Sequence, residues 1–447
     1  MTLAAPIGSA VAGPRLAVES LRGLLLWFAG LAGGFVFIEP SPYEFLAIIT
    51  VLFFVLTGLS LPSALAPLLL VLVTINIGYA IAAVPVSDEP KIVNWVLISI
   101  FLALTAIFYA AMLGNSTGRR LDLLLRGYLA AALISSLIAV AGYFRLFGSV
   151  SDVFLLWGRA RGTFNDPNVL GAFVVLPALL LLASMLAGRL VMRSALMLLI
   201  ILAALLLTFS RGAWAQFAFS GTLLMFLTFV TTRSVKERLR ILLVTIGAVL
   251  AGVVLLAALL SIEQVADLFQ QRAALEQSYD TGAYGRFGRY LPGLAVALDH
   301  PLGIGPLQFA KFFTEDPHDS FLNAFMSGGW LAGFGYFALV AVTLWMGARF
   351  LFTHTPWRAQ YQAIYAAYAG VIAESLVIDI DHWRHYFLVL GVLWGLMAAS
   401  RRAAQASPAG ARWLCGACRR SGARMLAGRP CVASHASVQL ARVLGGA

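Results

Sequence analysis

The chain has 447 residues, of which 61% are hydrophobic and only 11% are charged, and its mean hydropathy is +0.88. Soluble domains are about half apolar and a quarter charged, so this composition excludes a water-soluble globular fold. The net charge of +11 fits a role in membrane orientation and requires no nucleic-acid partner. Because Cys415, Cys418 and Cys431 all follow the last apolar segment, outward loops have no disulfide framework.

Apolar segments of membrane-spanning length follow one another along the chain. A spanning helix needs about 17 to 25 mostly apolar residues, and the stretch 195–231 is too long for one crossing, so it should turn near Ser210-Arg211-Gly212. The sequence therefore predicts an all-α polytopic membrane protein with about twelve helices. The predicted spans are 20–38, 43–60, 64–83, 92–113, 123–143, 168–187, 195–209, 213–231, 241–261, 321–348, 359–378 and 386–400.

Positive charge predicts the orientation of these spans, because cytoplasmic loops are enriched in Lys and Arg. Basic residues concentrate in alternate loops, on the same side as Arg15 and Arg22 near the N-terminus. Both termini are therefore expected in the cytoplasm, with a transmembrane domain over 1–400 and a basic tail over 401–447. The inward loops carry Arg119, Arg120, Arg189, Arg193, Arg233, Lys236, Arg238, Arg240, Arg349 and Arg358.

Several basic residues break this pattern and map to the outward side. One group lies in the long polar segment 262–318, between the ninth and tenth spans, and loops of this length are usually functional. The outward basic residues include Arg145, Arg159, Arg161, Arg211, Arg286, Arg289, Lys311 and Arg384.

The first candidate motif runs from Arg159 to Gly171, at the entrance of the sixth span. Asp166-Pro167-Asn168 has the chemistry of a turn followed by a helix start. The two arginines, Arg159 and Arg161, could hold a polyanion at that helix N-terminus. Equally, they could be interfacial arginines that contact lipid phosphates beside an ordinary helix cap.

The second motif is Phe209-Ser210-Arg211-Gly212-Ala213-Trp214. An arginine between two apolar spans is costly unless it faces protein, water or a counter-ion. The alternative is that Arg211 extends to lipid headgroups. Its place in a tight turn favours a buried pocket that opens outward.

The third motif lies in the long segment and contains Arg286, Arg289 and Tyr290, then Pro301-Leu-Gly-Ile-Gly-Pro-Leu-Gln-Phe309, then Pro317-His318-Asp319-Ser320-Phe321-Leu322-Asn323. A lone loop histidine is more often a surface residue than a catalyst. His318, however, lies at a helix entrance on the arginine-rich side, and a histidine pKa near neutrality suits acid–base work.

Two further groups of residues stand near the end of the chain. Asp379, Asp381, His382 and Arg384 occupy the last outward turn, where they could orient His318, bind sugar hydroxyls or simply form ion pairs. In the tail, three cysteines and one histidine have the spacing of ligands in a small structural zinc site. A disordered basic tail that lies against anionic lipid is the favoured alternative. The residues with that spacing are Cys415, Cys418, Cys431 and His435.

Together the motifs FSRGAW, RGTFNDPN and the run R-x3-Y…PLGIGPLQF…PHDSFLN resemble the pattern of the O-antigen ligase and polymerase superfamily, over roughly residues 20–400. Tyr290 departs from it, since a tryptophan is common there. The resemblance implies a C-type glycosyltransferase architecture in the bacterial inner membrane, with a periplasmic active site. It also implies an undecaprenyl-diphosphate-linked glycan donor, a lipid A–core acceptor, and no metal ion or other cofactor.

Carried over on these motifs, Arg161 and Arg211 are expected to stabilise charge on the diphosphate, and His318 to act on the acceptor hydroxyl. Attack opposite the diphosphate would invert the anomeric centre. Residues expected to bind diphosphate or glycan are Arg159, Arg286, Arg289, Asp379, Asp381 and Arg384.

Two other functions fit parts of the sequence. An O-antigen polymerase would share the fold, the donor and the arginine site with a ligase, and the ligase is preferred. A lipid-glycan transporter is the alternative from another class. Transporters usually show internal repeats and polar residues near the bilayer midplane. Here the spans are nearly free of charge and polar residues collect on one face, which favours an enzyme.

Overall fold

The computed structural model describes residues 12–273, 285, 287–313 and 317–406. These residues form fourteen α-helices and one two-stranded antiparallel hairpin. The helices are α1 Ala12–Ala32, α2 Pro42–Leu56, α3 Ala66–Ala83, α4 Pro90–Met112, α5 Thr117–Tyr143, α6 Pro167–Leu186, α7 Val191–Leu207, α8 Arg211–Thr231, α9 Val235–Leu260, α10 Glu263–Ala273, α11 Tyr290–Asp299, α12 Ser320–Ala348, α13 Arg358–Glu374 and α14 Arg384–Ala406; the strands are β1 Leu155–Leu156 and β2 Arg159–Ala160.

The predicted class is confirmed: the chain is an all-α polytopic membrane protein. Each of the twelve predicted spans falls on one of the helices. Among the described residues, eight helices are long and apolar enough to cross a membrane, namely α3, α4, α5, α6, α8, α9, α12 and α14. Two of the remaining predicted spans, α2 and α7, are apolar but shorter. The number of crossings therefore stays a prediction.

Several polar residues of the motifs cap the first turn of a helix. Asp166 caps α6 by accepting a hydrogen bond from the Asn168 backbone, and Pro167 occupies the first turn. Ser210 caps α8 and Asp319 caps α12 in the same way. Side-chain caps satisfy backbone N–H groups that have no partner inside the helix. Each motif thus contains the start signal of a helix, and the predicted turn within 195–231 is found between α7 and α8.

The helix α12 is broken at Gly328 and Gly329, where the backbone leaves the helical region. Gly329 has φ +65°, and a Cβ there would lie 2.3 Å from the carbonyl oxygen of Pro301. Only glycine therefore allows the loop to approach so closely. The Trp330 N–H donates to the Pro301 oxygen at 2.9 Å, and the Ile304 N–H donates to the Met326 oxygen at 2.8 Å. These bonds fasten the Pro301–Phe309 segment to the broken helix.

The helices α6 and α14 are the most enclosed of the eight candidate spans, with 78% of the best window buried in each, whereas the figure for α9 is 6%. Helices α6 and α14 therefore lie at the centre of the bundle, and α9 lies at its periphery. The chain divides between Ser400 and Arg401. The predicted tail zinc ligands, Cys415, Cys418, Cys431 and His435, lie outside the described residues.

Candidate functional site at one end of the helix bundle

Arg159 links the first motif to the second. It is buried on β2, with 5% of its surface exposed. Its Nε donates to the backbone oxygen of Thr208 at 2.7 Å, and one terminal nitrogen donates to Asn168 Oδ1 at 2.7 Å. The hairpin, the start of α6 and the α7–α8 turn are therefore tied together. These contacts give Arg159 a structural role, and its contact with substrate stays a prediction.

Arg161, two residues later, has a different environment. Its side chain is partly exposed. Nε donates to the Val153 oxygen at 3.1 Å and one terminal nitrogen donates to the Asn165 oxygen at 3.4 Å. Since a guanidinium has five N–H donors, these two bonds orient the side chain and leave donors that can reach an anion.

Arg211 is the first residue of α8 and is partly exposed. A helix N-terminus carries partial positive charge, so Arg211 and the helix favour the same kind of ligand. The α6 helix lies close by, because a Cβ on Gly171 would fall 2.6 Å from the Cβ of Ala213. The glycine of the first motif thus lets α6 pack directly against the first turn of α8.

Glu374, the last residue of α13, was missed by the sequence analysis. Only 4% of its surface is exposed, and neither carboxylate oxygen has a hydrogen-bond partner among the described residues. Its Oε1 would lie 2.8 Å from a Cβ on Gly212, so the carboxylate rests against the first turn of α8 beside Arg211. A signal was present in the sequence, because Glu374 is the only acidic residue in the span 359–378 and such residues mark functional sites.

His318 precedes the cap of α12 and has φ +47°, a left-handed backbone conformation. The Tyr290 hydroxyl donates to the His318 oxygen at 3.2 Å or to the Leu376 oxygen at 3.1 Å. The Ser320 N–H donates to the Ser375 oxygen at 2.9 Å. These contacts hold the His318 segment next to the end of α13, one residue from Glu374. Thus the third motif meets the second through α13.

Asp319, beside His318, accepts a hydrogen bond from the Leu322 backbone at 2.7 Å. Burial raises the pKa of this carboxyl group, and the backbone hydrogen bonds only partly oppose the effect. Asp319 therefore serves as a helix cap in a partly dehydrated setting.

The structure describes Arg289 but not Arg286, the two arginines predicted to bind substrate in the long segment. Arg289 is almost fully buried, and its Nε donates to the Gly285 oxygen at 3.2 Å. Arg289 immediately precedes α11, so it lies within the packed interior of the long segment. Arg286 lies outside the described residues.

Asp379 and Asp381 share one partner in α12. The amide nitrogen of Asn323 donates to Asp379 Oδ2 and to Asp381 Oδ2, both at 2.9 Å. His382 adds a third contact, with Nδ1 3.0 Å from Asp381 Oδ1 and Nε2 3.2 Å from the Trp95 oxygen. Both acceptors require an N–H donor, so this geometry suits the doubly protonated, charged imidazole.

The ionisation of this pair follows from its contacts. Burial raises the pKa of Asp381, but the charge and hydrogen bond of His382, with further hydrogen bonds from its neighbours, outweigh burial and bring the pKa below its ordinary value. Burial lowers the pKa of His382, and the Asp381 carboxylate and the Trp95 carbonyl more than reverse this. The pair is thus a partly buried ion pair, which His382 connects to α4 through the Trp95 oxygen.

Arg384 also forms ion pairs. Its Nε donates to Glu44 Oε1 at 2.6 Å, and a terminal nitrogen lies 3.3 Å from Glu39 Oε1. Glu44 in turn receives the Ser41 N–H in a capping box at the start of α2. The turn before α14 is therefore ion-paired, which is one of the interpretations of the sequence, and sugar binding by Asp379, Asp381 and Arg384 stays a prediction.

Residues from all the motifs thus meet at one end of the bundle, where α2, α4, α6, α8, α12 and α14 begin. Within this end, Arg211, Glu374 and His318 belong to segments in direct contact, and Arg161 lies on the loop that Arg159 ties to the α7–α8 turn. In the described part of the chain, no group of three or more His, Cys, Asp or Glu side chains could hold a metal ion.

Comparison with known proteins adds independent support. Residues 195–337 match the family model described as O-antigen ligase. The match runs from α7 into α12, so it contains Arg211 and His318 but not Arg161 or the last outward turn. No curated protein matches the chain. Over residues 195–337, less than half of its length, the chain is similar to the O-antigen ligase family.

Proposed function

We propose that this protein is an O-antigen ligase, which transfers a glycan from undecaprenyl diphosphate to lipid A–core at the periplasmic face of the bacterial inner membrane. The observation that carries the proposal is the meeting of Arg211, Glu374 and His318, from three distant segments, at one end of the bundle. At the opposite end, basic loop residues such as Arg119, Arg189 and Arg233 are accompanied by few acidic residues, which supports a cytoplasmic location for that end.

The chemistry begins with the donor diphosphate. Transfer breaks the bond between the anomeric carbon and the diphosphate oxygen, so negative charge grows on the leaving group. Arg161 and Arg211 supply guanidinium groups that bind phosphate oxygens in pairs, and the N-terminus of α8 adds partial positive charge. Stabilising the leaving group in this way requires no metal ion.

The acceptor is a sugar hydroxyl of lipid A–core. His318 receives or orients the hydroxyl proton as the oxygen attacks the anomeric carbon from the side opposite the diphosphate, which inverts that centre. Glu374 is a buried carboxylate that contacts the first turn of α8 and directly precedes Ser375, whose oxygen accepts from the histidine segment. It positions these two groups or receives the proton after His318.

The test is the lipopolysaccharide gel profile of a strain that lacks this protein. Bare core together with carrier-linked polymer supports the ligase, and core that bears a single repeat unit indicates the sister polymerase instead. Complementation with Arg211→Lys should fail. Arg145→Lys is the matched control, since Arg145 is an exposed arginine paired with Asp152 at 3.1 Å and should complement fully.

A further inference from the structure

A small cavity of about 160 Å³ opens at the same end of the bundle, between the α1–α2 segment, the turn before α6 and the first turn of α14. Its lining includes Asn165, His382, Arg384 and His385, together with the aromatic rings of Phe164 and Trp383. Pockets for drug-sized ligands measure about 300 to 1,000 Å³. This cavity therefore fits a group the size of one ring.

The charges around the cavity are already neutralised inside the protein. Arg384 contacts Glu44 at 2.6 Å and Glu39 at 3.3 Å. His382 contacts Asp381 at 3.0 Å. An anion in the cavity would compete with these carboxylates, so the lining favours a neutral ligand. This distinguishes the cavity from the surroundings of Arg161 and Arg211.

One lining residue, His385, has a ring nitrogen, Nε2, without a hydrogen-bond partner among the described residues. Only 7% of the His385 surface is exposed. The ring is fixed by neighbours, with the Trp383 ring centroid at 5.2 Å and the Phe173 centroid at 5.9 Å. A buried polar atom without a partner is costly, and because His385 lines the cavity, a ligand there that hydrogen-bonds to Nε2 would remove that cost.

The combination of groups is typical of sugar binding. An imidazole nitrogen and the Asn165 amide can bond to hydroxyl groups, while aromatic surface accommodates the C–H face of a pyranose ring. The cavity also adjoins the expected diphosphate position, because a terminal nitrogen of Arg161 donates to the Asn165 oxygen at 3.4 Å. A sugar joined to a phosphate held by Arg161 would lie next to it.

We propose that this cavity binds the donor sugar ring that is bonded directly to the diphosphate. The inference rests on the proposed function, and it adds His385 and Asn165 as residues that recognise the sugar and set donor specificity. The arginines bind the diphosphate, and the cavity binds the sugar ring attached to it.

The experiment compares two probes, carrier-linked glycan and bare undecaprenyl diphosphate, for binding to purified protein in detergent. His385→Leu and Asn165→Ala should each weaken binding of the glycan-bearing probe about tenfold, as expected for one lost hydrogen bond, and leave binding of the bare carrier unchanged. Arg161→Ala should weaken both. Asn165 is exposed, so its variant is expected to fold normally. Asn94→Ala, an exposed asparagine near the start of α4, is the matched control and should alter neither.

Transfer kinetics separate this inference from the function on which it rests. The two cavity variants should raise the KM for donor and leave the KM for acceptor and kcat near wild-type values. Equal effects on both probes, or no effect on either in both variants, would overturn the sugar site while wild-type transfer still upheld the ligase. A wild-type protein that transfers no glycan would overturn both.

Discussion

Arg159 donates a hydrogen bond of 2.7 Å from its Nε to the backbone oxygen of Thr208, across 49 positions of the sequence. The bond joins the turn before α6 to the turn before α8. Since Arg161 and Arg211 lie on these two turns, Arg159 holds the two segments that are expected to bind the diphosphate.

This contact predicts that Arg159 and Arg161 differ when replaced. Arg159→Leu leaves the buried Thr208 oxygen without its charged donor, at a cost of about 1–3 kcal/mol, and also removes the bond to the partly exposed Asn168. Its melting temperature in detergent should fall. Arg161→Ala should keep the wild-type melting temperature, because the Arg161 side chain is partly exposed. The variant should lose transfer, because it removes a group expected to bind the diphosphate. Equal melting temperatures for all three proteins would show that the Arg159 contacts contribute little.

The second prediction concerns Arg211. Arg211→Lys keeps the positive charge but loses the planar pair of donors, so transfer should fall about 10²-fold or more. Initial rates with saturating donor measure the effect, and Arg145→Lys should retain the wild-type rate. A lysine variant with wild-type turnover would show that bidentate binding at this position is not required.

The third prediction concerns Glu374, whose buried carboxylate has no partner among the described residues. Glu374→Met removes that unsatisfied group and should raise the melting temperature, since an unsatisfied buried polar group costs about 1–3 kcal/mol. Transfer should fall at the same time, which is the pattern of a residue kept for function. If the variant is more stable and still fully active, Glu374 has no part in the reaction.

The fourth prediction concerns pH and the Asp381–His382 pair. The pKa of His382 in the folded protein is raised by Asp381 in spite of burial. Its contribution to stability is therefore complete below the unfolded-state pKa of about 6.5 and is lost as the pH rises through the folded-state pKa. The difference in melting temperature between wild type and His382→Gln should be largest in mildly acidic buffer and shrink toward alkaline pH. A difference that is constant or grows with pH would contradict the charged form of His382.

The helices could be predicted from the sequence because each span is a continuous apolar run between strong start and stop signals. The capping residues Asp166, Ser210 and Asp319 mark three of those starts. The α7–α8 turn followed from length alone, since one helix over 195–231 exceeds the bilayer core. Helix α11, inside the long segment, was not predicted, because its ten residues are too few to form a span.

The site was less predictable, because side-chain partners depend on packing between helices. The first motif predicted that Arg161 acts on the diphosphate and that Arg159 binds substrate, but only the fold shows that Arg159 is buried and bonded to Thr208 while Arg161 is partly exposed. Likewise, the ion pair between Arg384 and Glu44 joins residues 340 positions apart. Glu374 carried a visible signal, a carboxylate in an apolar span, but its contact with Gly212 required the structure.

The most direct test of the central claim is transfer by the purified protein, supplied with carrier-linked glycan and lipid A–core, with chelator present throughout. The wild type should form glycan-bearing core. His318→Ala should bind donor normally and transfer about 10²- to 10⁴-fold more slowly, since the arginines hold the diphosphate and the imidazole acts on the acceptor. Loss of wild-type transfer on chelation, longer carrier-linked glycan as the product, or near-normal turnover by His318→Ala would contradict the account.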